Sequence, residues 1–358
     1  MAFFSVEGLN IKGISTAVPT QSKSVLDYDL MSDSEKKMFV KTVGVENRRV
    51  AEEGVTSLDL GVHAANQLFQ KIGWEKESVD LLVFVTQSRD FYLPSMGPLA
   101  QHKLGLSTTC MAFDIGLGCS GYVYGLSIVA SMLKSSNFKR AILLAGDVST
   151  ISSCYSDRST YPLFGDAVTA TFVENSNANN KWSFELYSDG SGEEAIKIPY
   201  GGLRNLPTVD SFEEKERGPG IKRSDLHLAL NGIDIFNFSV SKVPKSINDF
   251  LLKLGMQRDE IDYFVMHQAN KLMNETIRKK VSFEIEKTPY SLKDFGNTSS
   301  ASIPLTIVTE LEVLKSKKST LLLSGFGVGL SWANALVEND LIEYLLLSFV
   351  TEKNEIKG

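Results

Sequence analysis

The chain alternates two kinds of hydrophobic pattern. Residues 79–87 and 140–147 are nearly continuous apolar runs, the pattern of strands covered on both faces of a sheet. Residues 57–72 instead space Leu58, Val62, Ala65, Leu68 and Phe69 at helical intervals and stop at Gly73. Residues 9–19 read as a strand closed by Pro19, residues 121–133 as an apolar helix, and residues 163–173 as a strand ending the first half. The order then recurs. A helix closes at Gly255, a strand follows over residues 262–268, a helix starts near residues 297–302 with Pro304 in its first turn, and residues 319–325 form a buried strand. Gly73 and Gly255 each stand seven residues before an aspartate, Asp80 and Asp262. A repeat of about 180 residues built from buried strands and helices predicts two α/β halves that share a core, with a site where equivalent element ends meet.

The halves are expected to span residues 1–175 and 176–358, with an apolar extension from about residue 338. Residues 201–220, rich in turn formers, are expected to be solvated loops rather than a substrate lid. Of 358 residues 43% are hydrophobic and 22% charged, a globular composition. The net charge of -6 argues against a nucleic-acid partner. Residues 341–350 are too short for a bilayer span, which needs roughly 20 residues. The N-terminal residues lack the pattern of a secretory signal, so a cytoplasmic protein is expected. Three cysteines without paired spacing point away from zinc and disulfides.

Candidate chemistry sits in three motifs. Gly116-Leu117-Gly118-Cys119-Ser120-Gly121 places a thiol at the start of an apolar helix, where free backbone N–H groups stabilise a thiolate and glycines admit a bulky substrate. Alone, such a cysteine is more often an inert buried residue. His267, in His267-Gln268-Ala269-Asn270, ends a buried strand, whereas His63 and His102 lie on helices as structural or surface residues. Asn297, in Gly296-Asn297-Thr298-Ser299, precedes a helix, where an Asn is ordinarily a cap. The repeat brings the three together.

These motifs, in this order, resemble the β-ketoacyl-acyl-carrier-protein synthase III family, from about Leu9 to Val337, and Phe164-Gly165-Asp166-Ala167 and the loop from Gly325 to Trp332 extend the likeness. The resemblance implies the thiolase-like fold, layered α-β-α-β-α. It implies that Cys119 accepts an acyl group, that His267 and Asn297 complete a triad, and that the backbone N–H groups of Cys119 and Val328 form an oxyanion hole. The reaction implied is decarboxylative condensation with a malonyl thioester in fatty acid biosynthesis. Its partners would be acyl-carrier protein, a coenzyme A thioester and a second copy of the chain, with no metal or redox cofactor. Gly325, Gly327 and Gly329 lack the spacing of a dinucleotide fingerprint.

By the same resemblance Arg158 matches an adenine-side arginine, Leu93 stands where many members carry a Phe that reaches the partner's acyl pocket, and Phe236 is a substrate-binding candidate. Lys279 and Lys280 match lysines that meet the carrier protein. Departures are Met38 for the adenine-stacking Trp, Lys41-Thr42 where an Arg is usual, Leu272 for a carrier-facing Arg, and Val328 for a frequent Gly. They suggest a specialised member with an altered donor or carrier. Two other readings remain open: acyl transfer from Cys119 to an alcohol, amine or sugar, and a non-catalytic subunit of a heterodimer. A thiolase needs a second late cysteine, and none follows Cys154.

Overall fold

A computed structural model describes residues 2–176 and 178–350. The elements that build the core are strands β1 (Ala2–Glu7) and β2 (Leu9–Pro19), then helix α1 (Asp33–Val43) and helix α2 (Ser57–Ile72). Strand β3 (Leu81–Val85), helix α3 (Met96–Leu104), strand β4 (Met111–Ile115), helix α4 (Gly121–Ser135) and strands β5 (Arg140–Asp147) and β6 (Ala167–Asn175) follow. The second half supplies β7 (Lys181–Ser188), α5 (Gly232–Leu254), β8 (Tyr263–Met266), α6 (Lys271–Lys280) and α7 (Ser302–Glu310). It closes with β9 (Ser319–Gly327), β10 (Ser331–Asn339) and β11 (Tyr344–Val350).

Two sheets result, ordered β11-β2-β6-β5-β3-β4 and β1-β7-β10-β9-β8. The repeat is visible in their pairings. β2·β6 and β6·β5 are antiparallel and β5·β3 parallel, matched by β7·β10, β10·β9 and β9·β8. Asp80 and Asp262 do the same work in each half. The Asp80 amide donates to the Arg140 carbonyl and the Asp262 amide to the Thr320 carbonyl, each at 3.0 Å. Their carboxylates in turn accept from the Arg140 and Thr320 amides.

Continuous apolar strands are needed because each sheet is covered twice. Leu81, Val83 and Val85 face a central layer with Leu126, Val129 and Leu133 of α4 and Ile303 and Ile307 of α7; Leu321, Leu323, Ala333 and Ala335 of the other sheet close it from below. Leu82 and Phe84 point the other way, against α2 and α3. Leu322, Phe264 and Met266 pack under α5 and α6. The layers run helix, sheet, helix, sheet, helix, as the resemblance implies.

The sheets do not divide where the chain does at residue 175. β1 belongs to the second sheet and β11 to the first, so each half lends a terminal strand to the other. The extension past residue 338 therefore covers the β2 edge; its residues 351–358, like Asn177 beside the boundary, lie outside the described residues. The segment read as a strand from residue 163 becomes one at Ala167. Residues 201–220 lie on the surface, carrying exposed Leu203, Leu206, Val209 and Phe212, with a hairpin pairing Lys215–Gly218 and Ile221–Arg223. Among the described residues no helix is long and apolar enough to cross a membrane.

Candidate active site

Cys119 stands just before α4, two residues ahead of the first helical residue Gly121. The packing around it demands glycine. A Cβ on Gly327 would lie 2.8 Å from the Cys119 sulfur, and one on Gly118 would meet the Val328 side chain at 2.7 Å. Ser120 Oγ bonds Ser331 Oγ at 2.6 Å, tying the α4 start to the loop between β9 and β10. That loop thus sits against the sulfur. The backbone amides of Val328 and of Cys119 itself, with the Ser299 side chain, favour negative charge on the sulfur.

Asn297 is fixed by the opposite half. Its amide donates to the Leu163 carbonyl and its carbonyl accepts from Gly165 N–H, each at 3.0 Å. A Cβ on Gly165 would come within 2.1 Å of the Phe295 carbonyl, so the close crossing of these two loops requires glycine there. Asn297 Oδ1 accepts from the Ser299 amide at 3.0 Å. A backbone N–H can only donate, so this bond settles which end of the side-chain amide is oxygen and leaves the NH2 end for substrate. Ser299 pays a local cost: its φ of 53° is left-handed without being glycine.

His267 follows β8, and its amide donates to the Ser324 carbonyl of β9 at 2.8 Å. The ring edge meets Phe326 with centroids 5.5 Å apart, and Nδ1 lies 2.8 Å from Ser302 Oγ. One cavity of about 550 Å³ is lined by Cys119, His267, Asn297, Ser299 and Val328. Its walls are mostly apolar, including Ile151, Leu163, Ile196, Leu228, Leu230 and Met273, so the flanks of the 201–220 segment roof the site although the segment itself does not.

Electrostatics define the resting state. Burial pushes the Cys119 thiol up to about 12, aided by the Asp147 carboxylate; the Val328 amide, the Cys119 amide and the Ser299 hydroxyl pull the other way. Burial pushes His267 down to about 3, opposed by the Ser299 backbone. The pair is therefore neutral thiol and neutral imidazole at ordinary pH, not thiolate and imidazolium. His267 can then act as a hydrogen-bond donor without carrying charge.

The family model for 3-oxoacyl-[acyl-carrier-protein] synthase III matches residues 113–190, and that for its C-terminal region matches residues 251–339. A β-ketoacyl-[acyl-carrier-protein] synthase III of Synechocystis is 31% identical, over 92% of this chain and 98% of its own. One from Vibrio vulnificus is 32% identical over 91% and 98%. The crystal structure of a 3-oxoacyl-(acyl-carrier protein) synthase from Burkholderia xenovorans superposes with a TM-score of 0.92 at 34% identity, over 98% of this chain and 99% of that one. The chain belongs to the synthase III family.

Against that family's pattern the peripheral candidates fall unevenly. Phe236 does not line the cavity. It packs into the cluster beneath α5, while Ile235 and Ser239, one turn apart on the neighbouring face, line the site in its place. Leu93 is 84% exposed and also off the cavity of the single chain. Arg158 is not at the cavity either; its guanidinium pairs with Glu35 of α1 at 2.9 Å, near the exposed Met38. Lys279 and Lys280 end α6 on the surface, two turns from exposed Leu272, and Lys280 Nζ donates to the Val240 carbonyl at 2.9 Å. Ser299, Ser302 and Phe326, which touch the triad directly, were not singled out by the sequence. A serine within a Ser-rich run carries no signal of which hydroxyl faces inward.

Proposed function

We propose that this synthase III family member is a condensing enzyme that loads an acyl group on Cys119 and joins it to a malonyl thioester. The observation that carries the reading is the convergence of Cys119, two backbone amides, neutral His267 and the oriented Asn297 amide in one mostly apolar cavity. In the first half-reaction the sulfur attacks an acyl thioester; the thiol proton leaves with the departing thiol. The Cys119 and Val328 amides then meet the oxyanion. In the second, a malonyl thioester bound to acyl-carrier protein loses CO2. Its enolate oxygen accepts from His267 Nε2–H and the Asn297 amide, and its carbon attacks the acyl-cysteine to give a 3-oxoacyl product, expelling the Cys119 sulfur as a thiolate that takes up a proton from solvent. Loss of one such donor costs on the order of 3 kcal/mol. The chemistry needs no metal or redox cofactor.

The proposal includes a homodimer. Phe91, Tyr92 and Leu93 project into solvent together with Leu203, Leu206 and Val209, an apolar surface suited to a second copy of the chain. Arg158, with Met38 beside it, is assigned to the coenzyme A side and Lys279 with Lys280 to the acidic carrier.

The test is intact-protein mass spectrometry with acyl-CoA and acyl-carrier donors, followed by malonyl-acyl-carrier protein. A mass gain absent from Cys119→Ala is expected. His267→Ala and Asn297→Ala should still acylate but discharge with malonyl at least about a hundredfold more slowly. Acylation that discharges to alcohols, amines or sugars and never to malonyl would overturn the condensing reading.

A further inference from the structure

We propose that Ser302 sets the tautomer of His267, holding the ring proton on Nε2 where the second half-reaction uses it. Ser302 is the first residue of α7, far in sequence from His267 and buried with it. Its Oγ lies 2.8 Å from His267 Nδ1 and accepts the Gln268 amide at 3.3 Å. A hydroxyl has one proton and two lone pairs. The Gln268 amide can only donate, so it occupies one lone pair.

Two arrangements remain. Either the Ser302 proton goes to Nδ1, or Nδ1–H donates to the second lone pair. In the second arrangement the Ser302 proton would need another acceptor, and among the described residues Oγ has no further partner. Ser302 is 1% exposed, so an unspent O–H there is costly. The arrangement that satisfies every group puts the hydroxyl proton on Nδ1 and the ring proton on Nε2. The placement is firm, because Ser302 opens a buried helix and its own carbonyl accepts from Thr306 Oγ1 at 2.7 Å. The fold needs the Ser302 hydroxyl for little beyond the Gln268 amide. Ser302 is thus a positioning residue: it acts through His267.

The inference rests on the condensing reading for its kinetic consequence and on geometry alone for the tautomer, so two measurements separate them. The first is 15N NMR of histidine-labelled protein, the His267 signals being those lost in His267→Asn. Wild type should show a protonated Nε2 and an unprotonated Nδ1. Ser302→Thr should keep that state and Ser302→Ala should move toward the Nδ1–H form. The second is discharge of pre-acylated Cys119 by malonyl-acyl-carrier protein. Ser302→Ala should slow it about tenfold to a hundredfold, with Cys119 acylation unchanged and with rescue by Ser302→Thr. A wild-type ring protonated on Nδ1 would falsify the proposal, as would an Ala variant with wild-type tautomer and discharge. Should the Ala variant fail to fold, the wild-type and Thr spectra still decide. If wild-type acyl-Cys119 is never discharged by malonyl, the condensing reading fails while the spectra continue to judge the tautomer.

Discussion

Cys119 is guarded rather than primed. A cysteine–histidine ion pair would carry a thiolate at neutral pH, and its alkylation rate would level off above the cysteine's lowered pKa. Here burial holds the thiol up at about 12 and the imidazole down at about 3, so neither half of such a pair forms. Below its pKa a thiol's ionised fraction rises tenfold per pH unit. Inactivation of the free enzyme by iodoacetamide should therefore climb about tenfold per unit between pH 7 and 10 without a plateau. A plateau below pH 8 would show a preformed thiolate. The three residues that meet in the cavity are readable only together: each alone has an ordinary structural role, and the repeat with its three motifs is what sets them side by side. Phe236 was misplaced because sequence marks a helix but not which side of it faces a cavity. Ile235 and Ser239 occupy that side. Ser299 and Ser302 were unreadable for a different reason: their work depends on hydroxyl direction, which only tertiary packing sets.

At the scale of elements, the duplicated strand pairings make a direct test possible. α2 and α5 end in equivalent left-handed glycines, Gly73 at φ 71° and Gly255 at φ 68°. Nothing lies within 4 Å of a Cβ added at either one. Substitution by alanine thus meets backbone strain and no collision, and each should cost about 1 kcal/mol. Urea unfolding should give near-equal losses for the two variants; a difference above about 1 kcal/mol would show that the duplicated caps work in unlike surroundings. Gly146 marks the contrast: a Cβ there would come 2.1 Å from the Ala167 carbonyl. The central strands are legible because both faces are buried and most positions are apolar. The start of β6 was not, since Phe164 and Gly165 look strand-like yet pair with Asn297 in a loop crossing that joins the halves.

At the scale of the molecule, the exchange of terminal strands decides how the halves cohere. Edge strands bury one side and leave the other open, so their patterns are half as informative as those of central strands, and β1 and β11 could not be assigned to sheets from pattern alone. β11 runs parallel to β2 from Tyr344 opposite Gly13 to Val350 opposite Pro19. Its approach is anchored as well, by Ile342 N–H to the Leu314 carbonyl and Glu343 N–H to the Lys12 carbonyl. Ile342, Leu345 and Val350 are buried there, and three such side chains contribute on the order of 5 kcal/mol. That is close to the whole stability of many proteins. Removing the strand would also bare the β2 backbone edge, a template for pairing between molecules. A chain ending at Asp340 should therefore melt well below the full chain and associate on concentration. No residue of β11 lines the cavity, although β11 packs against α7, whose first residue Ser302 meets His267. The fraction of the shorter chain that folds should consequently still acylate Cys119. Unchanged melting of that chain would mean that β11 is a passive cover; lost acylation in its folded fraction would mean that the edge strand also holds the cavity in shape.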